Sequence, residues 1–320
     1  MGGCTLSVVA TVASTVSCRT AKDHRRVYLP ETSPAQPPDP STPTLRVPAH
    51  ADPSSVPAHA ESADTVEQWV SAQLHRDALE RYLPRGARVL ELSTVSARLT
   101  EVIHRLGCKL SVQAASVDEL ELLRARARER GFEGSVERWV AGSMVNLEAF
   151  ADGSFDAVVA YGGALGYALE RRDRALTECM RVLAPRGLLI LAVFSLWGSM
   201  HRHLPFVLAR DLVDNRAVIR SGNVLAPPSG AAIGADAASA LLGGGRPCHL
   251  FRAAELEAFL RRGGLELLSL SASSALSTGL DRPVGGDPSA WSPLLEYERA
   301  ACIERGYLDS GTQLIAVARR

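Results

Sequence analysis

Apolar positions recur along the chain with two periods, one of about 3.6 residues and one short and unbroken, and the two alternate. Val66, Trp69, Val70, Leu74 and Leu79 return at helical spacing and predict an opening helix. Arg88-Val89-Leu90-Glu91-Leu92 then reads as a strand, and Leu99, Val102, Ile103 and Leu106 mark a helix face that Gly107 closes as a C-terminal cap. Leu110 to Gln113 is a second strand. Ser116 followed by Glu119 forms a capping box that opens a helix through Leu120, Leu123 and Ala127, with Gly131 just past its end. Val136 to Val140 and Phe155 to Tyr161 are the third and fourth strands, and Leu176, Met180 and Leu183 stripe a helix over 171–183.

The run Gly187-Leu188-Leu189-Ile190-Leu191-Ala192-Val193-Phe194 is apolar at every position after its glycine. A strand that does not alternate is covered on both faces, which implies a parallel sheet with helices above and below. A helix over 253–262, a strand over 265–270, a helix near 291–304 and a last strand over 313–317 complete the pattern. The predicted fold class is α/β, a doubly wound sheet of seven strands whose ligand lies at the carboxyl ends of the strands near the switch point. From Ser195 to Arg246 the alternation breaks into an irregular stretch, read as a lid at about 197–250.

Half of the 18 prolines fall between Pro30 and Pro57, among Ser, Thr, Ala and Asp. Such a segment buries too little apolar surface to offset its ordering entropy. Residues 1–62 are therefore expected to be a disordered tail before a domain at 63–320. Residues 4–17 are small and apolar, but no Lys or Arg precedes them as a secretion signal requires, and Leu6 stands where an acylation pattern wants Ser or Thr. No apolar run approaches the roughly 18 residues of a membrane span. The 35 basic and 35 acidic residues cancel, which argues against nucleic-acid and anionic-membrane partners. The six cysteines form no CxxC pair, so neither a zinc site nor a disulfide framework is expected. A cytoplasmic protein with a small-molecule ligand is the expectation.

Phe155-Asp156-Ala157-Val158-Val159, Tyr161-Gly162-Gly163-Ala164-Leu165, Arg181-Val182-Leu183-Ala184-Pro185-Arg186-Gly187-Leu188, Cys248-His249-Leu250-Phe251-Arg252 and Gly311-Thr312-Gln313-Leu314-Ile315-Ala316-Val317 together resemble class I S-adenosylmethionine-dependent methyltransferases of the small-molecule type. The resemblance runs from about Asp64 to the C-terminus. It implies a seven-stranded, mostly parallel, Rossmann-like sheet with an antiparallel last strand. It also implies a first strand ending in an acid followed by a Gly-x-Gly-x-Gly loop, a second strand ending in an acid that holds the ribose, and an acid after the third that meets the adenine. Here Glu91 keeps the first acid, Ser93, Val95 and Ala97 replace the three glycines, and Ala114 and Ser143 occupy the two acidic positions. The Pro-Gly-Gly turn before strand five reads Pro185-Arg186-Gly187.

A β-branched Val95 is a poor occupant of a loop that needs positive φ and close approach of backbone to ligand. Two lost carboxylates and one strained position would remove about 4 to 9 kcal/mol, against roughly 8 kcal/mol for a micromolar ligand. The expectation is therefore an eroded cofactor site with no cofactor bound. Asp118, the nearest carboxylate to Ala114, sits in the first turn of the helix, where the dipole favours an acid.

Among other candidates, Glu91 either holds a cationic amine or pairs with an arginine. Tyr161, Gly162 and Gly163 follow strand four, where the resemblance brings donor and acceptor together, and a permissive turn is the alternative. His249, after the glycine-rich lid, is a candidate general base. His201 and His203 with Cys248-His249 are weak as metal ligands, and no metal is expected. Three functions follow. One is a methyltransferase-fold protein repurposed away from methyl transfer, with catalytic residues His249 and Tyr161 or none. The second is a working small-molecule methyltransferase that holds S-adenosylmethionine through unusual loop contacts. The third is a non-catalytic subunit partnering a homologous methyltransferase.

Overall fold

The computed structural model describes residues 65–93, 97–204, 212–224, 247–285 and 288–320. The expected tail, the Val95 loop position and much of the expected lid lie outside them. Seven strands form one sheet: β1 (Arg88–Ser93), β2 (Lys109–Ala114), β3 (Val136–Ala141), β4 (Phe155–Ala160), β5 (Leu183–Phe194), β6 (Glu266–Ser273) and β7 (Gln313–Arg319). Their order is β3-β2-β1-β4-β5-β7-β6. Pairing is parallel from β3 through β5, and β7 runs antiparallel to both of its neighbours.

The helices are α1 (Val66–Tyr82), α2 (Ala97–Arg105), α3 (Val117–Glu129), α4 (Arg172–Val182), α5 (Leu196–Arg202), α6 (Leu212–Ser221), α7 (Ala253–Arg262) and α8 (Ser292–Ala301). Local chemistry sets their starts. The Thr65 hydroxyl accepts from Gln68 N at 3.2 Å while Gln68 Oε1 accepts from Thr65 N at 3.1 Å, a reciprocal cap for α1. Ser116 caps α3 by accepting from Glu119 N at 3.2 Å. The returning Glu119 carboxylate takes Ala115 N, also at 3.2 Å, one residue before the position a strict capping box uses.

The unbroken apolar run in β5 divides between the two faces of the sheet. Leu189, Leu191 and Val193 pack with Leu90, Val158, Leu176 and Leu256 beneath α4 and α7. Ile190 and Ala192 pack with Val89, Val159, Val66, Val70 and Ile103 beneath α1 and α2. Burial on both sides is what the lack of alternation requires.

Three sequence expectations change. The helix over 171–183 ends at Val182, because Leu183 is already extended and pairs with Phe155. β5 accordingly starts four residues before Gly187 and crosses an irregularity in its pairing with β4. At that irregularity Arg186 takes φ 64°, a left-handed conformation that costs a side-chain-bearing residue about 1–2 kcal/mol. The stretch read as irregular contains α5, α6 and a short antiparallel ladder of Asn223–Val224 with Cys248–His249. α5 forms because Ser195 caps it, accepting from Gly198 N at 3.4 Å.

Candidate functional site

The carboxyl ends of β1 to β5 meet around the switch point between β1 and β4. Glu91, near the end of β1, is buried, and a buried carboxylate needs compensating donors. The Thr100 hydroxyl of α2 donates to Glu91 Oε1 at 2.9 Å. Ser93 ends β1 opposite Ala114 of β2, and Ala97 opens α2.

At the end of β2, Ala114 is buried in the apolar layer under α1 and α2 and offers only its backbone, which accepts from Gly142 N at 2.8 Å. Strand alternation turns the preceding residue, Gln113, to the other face. Its side chain is 3 % exposed, and its Nε2 is buried with no acceptor among the described residues. A Cβ on Gly142 would stand 3.3 Å from that nitrogen, so the glycine leaves room beside the amide. Ser143, just beyond, is exposed, and its hydroxyl accepts from Val145 N at 3.4 Å. Asp118 is exposed in the first turn of α3.

A different kind of arrangement follows β4. Tyr161 is buried, and its hydroxyl donates to the His75 carbonyl of α1 at 3.2 Å. Burial pushes the phenol well above its ordinary pKa. The His75 ring packs edge-on against Tyr161 with centroids 4.9 Å apart. His75 Nδ1 lies 2.7 Å from the Ser71 carbonyl and Nε2 lies 3.1 Å from Gln313 Oε1, at the start of β7. Burial lowers the His75 pKa, so the ring is neutral at neutral pH. A neutral ring donating to Ser71 leaves Nε2 an acceptor, which the Gln313 carboxamide satisfies once its N–H2 faces the ring. Ser71 Oγ and Ser273 Oγ, 2.7 Å apart, extend the network to β6. Gly162 and Gly163 both take positive φ, and a Cβ on Gly163 would stand 2.3 Å from the Phe194 ring.

His249 belongs to a third group. It is 1 % exposed, with Nδ1 2.7 Å from Asn223 Oδ1 and Nε2 2.7 Å from Glu255 Oε1. Burial disfavours the Glu255 charge, but the hydrogen bond and charge of His249 outweigh it and hold the carboxyl below its usual range. His249 thus ties the ladder to α7, in a network separate from that of Tyr161. His201 is exposed, and burial lowers the pKa of half-buried His203. Among the described residues no three His, Cys, Asp or Glu side chains cluster as a metal site. Nor is any described helix long and apolar enough to cross a membrane.

Sequence reasoning passed over Gln113, Thr100, His75 and Gln313. The last two lie 238 residues apart and meet only in the fold, so no local pattern marks the pair.

Residues 90–191 match the family model described as a methyltransferase domain, roughly a third of the chain. No curated protein matches the sequence. Among solved structures, the chain is similar to the (4+2)-cyclase SpnF at 21 % identity, covering 79 % of this chain and 82 % of that one with a TM-score of 0.47. It is similar to S-adenosylmethionine-dependent methyltransferases from Methanosarcina mazei at 17 % identity, covering 76 % and 96 %, TM-score 0.49. It is also similar to a geranyl diphosphate methyltransferase solved with S-adenosylmethionine, at 15 % identity, covering 79 % and 85 %, TM-score 0.48.

The domain match corrects the expectation that no cofactor is bound. The matched segment contains Glu91, Ser93, Val95, Ala97, Ala114 and Ser143. The positions taken as lost thus stand inside a segment that still matches a methyltransferase domain.

Proposed function

We propose that the chain is an S-adenosylmethionine-dependent methyltransferase for a small molecule, holding its cofactor with a loop that lacks the usual glycines. The observation that supports this most directly is the orphaned Gln113 Nε2, a buried donor without an acceptor at the strand end where a nucleoside would lie. Leaving such a donor unsatisfied costs about 1–3 kcal/mol, and a ribose or adenine acceptor beside Gly142 relieves it. Glu91 supplies the negative charge that suits the cationic end of the cofactor, and exposed Ser143 supplies a hydroxyl after β3. When bound, S-adenosylmethionine supplies an electrophilic methyl group.

The other residues do a different job. Tyr161 and His75 have their polar atoms engaged inside the protein, as does His249, so each is read as a positioning residue. Their networks fix the β4 turn, α1 and the ladder. Methyl transfer then rests on holding donor and acceptor in line. The test is transfer of a labelled methyl group across a panel of amine, thiol, phenol and carbon acceptors. Labelled product supports the reading, and no transfer to any acceptor by a chain that binds the cofactor counts against it.

A further inference from the structure

We propose that a groove between α1 and α2, away from the strand ends described above, is a binding site for a small phosphorylated anion. The groove encloses about 350 Å³ and is lined by Arg76, Glu80, Arg85, Val102, Arg105 and Leu106. Three guanidinium groups and one carboxylate leave the lining with a net charge of plus two. Neither Arg76 nor Arg85 has a hydrogen-bond or ion-pair partner among the described residues, and Arg76 Nε is buried without an acceptor. Arg105 reaches Glu101 only at 3.7 Å, and Arg130 already holds Glu101 at 2.8 Å.

Surface arginines normally extend into water, where every N–H is solvated. A buried Nε in a cationic groove lacks that recourse, so the arrangement is complete only with an acceptor from outside the chain. The number and shape of the donors select the ligand. Guanidinium forks from α1, the 83–87 turn and α2 present more N–H groups than the two oxygens of a carboxylate take up, whereas a phosphate offers several oxygens to parallel N–H pairs. With Glu80 counted the lining still carries two net positive charges, which attract a ligand with two or more negative charges more strongly than a monoanion. The turn bearing Arg85 is fixed, with Gly86 N donating to Leu106 O and Ala87 N to Pro84 O, both at 3.3 Å. The apolar part of the lining, Val102 and Leu106, leaves room for an organic substituent on the phosphate.

The test is calorimetric titration of the full chain with inorganic phosphate, pyrophosphate and ADP, at constant ionic strength with chloride as the balancing ion. Saturable binding of pyrophosphate is expected. It should weaken at least about tenfold in a double variant Arg76→Gln, Arg85→Gln, which removes two charge-assisted contacts, and tighten several-fold in Glu80→Gln. A stronger response to ADP than to pyrophosphate assigns the site to a phosphate ester, and the reverse to a free polyphosphate. Absence of saturable binding by all three anions overturns the proposal, as does equal binding by the double variant. Should the double variant not fold by circular dichroism, Glu80→Gln decides alone, and an unchanged affinity overturns the proposal.

Discussion

Polar side chains stand at both halves of the sheet's carboxyl edge, and the halves differ in how their hydrogen bonds close. Around β4, β5 and β7 the Tyr161 hydroxyl, the His75 ring, the Gln313 carboxamide and the Ser71–Ser273 pair satisfy one another within the chain. Around β1 and β2, Glu91 meets Thr100 from α2, but Gln113 holds a buried donor beside Gly142 that has no acceptor among the described residues. A closed network specifies structure, because each member has nothing left to offer a ligand. A buried donor left without an acceptor at a strand end is where a ligand can supply one. On the proposed function, cofactor recognition falls to β1 and β2, and alignment of the acceptor side to β4 and α1.

Substitutions on the two halves should therefore fail in different ways. The largest effect is expected from Gly163→Ala, which adds a Cβ 2.3 Å from the Phe194 ring at φ 78°. The left-handed conformation and the overpacking together should destabilise the fold by about 2 kcal/mol or more, read as a lower denaturation midpoint. Glu91→Gln keeps an oxygen for Thr100 and removes the charge. It should weaken S-adenosylmethionine binding by about 1.5 kcal/mol, roughly tenfold, while changing stability little. An equal loss of stability and affinity in both variants would erase the distinction between the halves.

A pH series sharpens the same comparison. Burial lowers the folded pKa of His75. Below the unfolded value of about 6.5 the unfolded chain therefore binds a proton that the folded chain refuses. Stability is present at neutral pH and declines as pH falls through that window, by up to about 1.4 kcal/mol per pH unit for one proton. His203 contributes with the same sign. Comparing the native chain with His75→Gln isolates the His75 part, and denaturant titrations at pH 7 and pH 5.5 should show a shallower decline in the variant. The smallest effect concerns the turn before β5, where Arg186→Gly removes the left-handed penalty and should raise stability by up to about 1 kcal/mol, net of the entropy glycine loses on folding.

What could be read from the sequence follows from how far apart the determinants lie. Gly86, Gly107 and Gly131 each take positive φ at the ends of elements, and such residues punctuate a chain locally. β1 and β4 were legible as short apolar stretches, and β5 because its unbroken apolar run announces burial on two faces. β5 began earlier than expected because Leu183 looks equally like the end of a helix, and only its pairing with Phe155 of β4 decides. The site was harder. Glu91 was visible through the resemblance, as the acid near the end of β1, whereas Gln113 read as an ordinary strand residue until the fold buried its amide. The His75 and Gln313 pair depends on α1 crossing the sheet to β7. Counting lost carboxylates led to the expectation of no cofactor, which the methyltransferase-domain match corrects.

The central claim is that the β1 and β2 edge still recognises S-adenosylmethionine. Calorimetric titration of the full chain with S-adenosylmethionine and S-adenosylhomocysteine tests it most directly, run beside the Glu91→Gln and Gln113→Leu variants. The account predicts one-to-one binding near micromolar affinity, weakened by either substitution in chains that remain folded. Absence of binding at millimolar ligand, or binding that neither substitution alters, would contradict it.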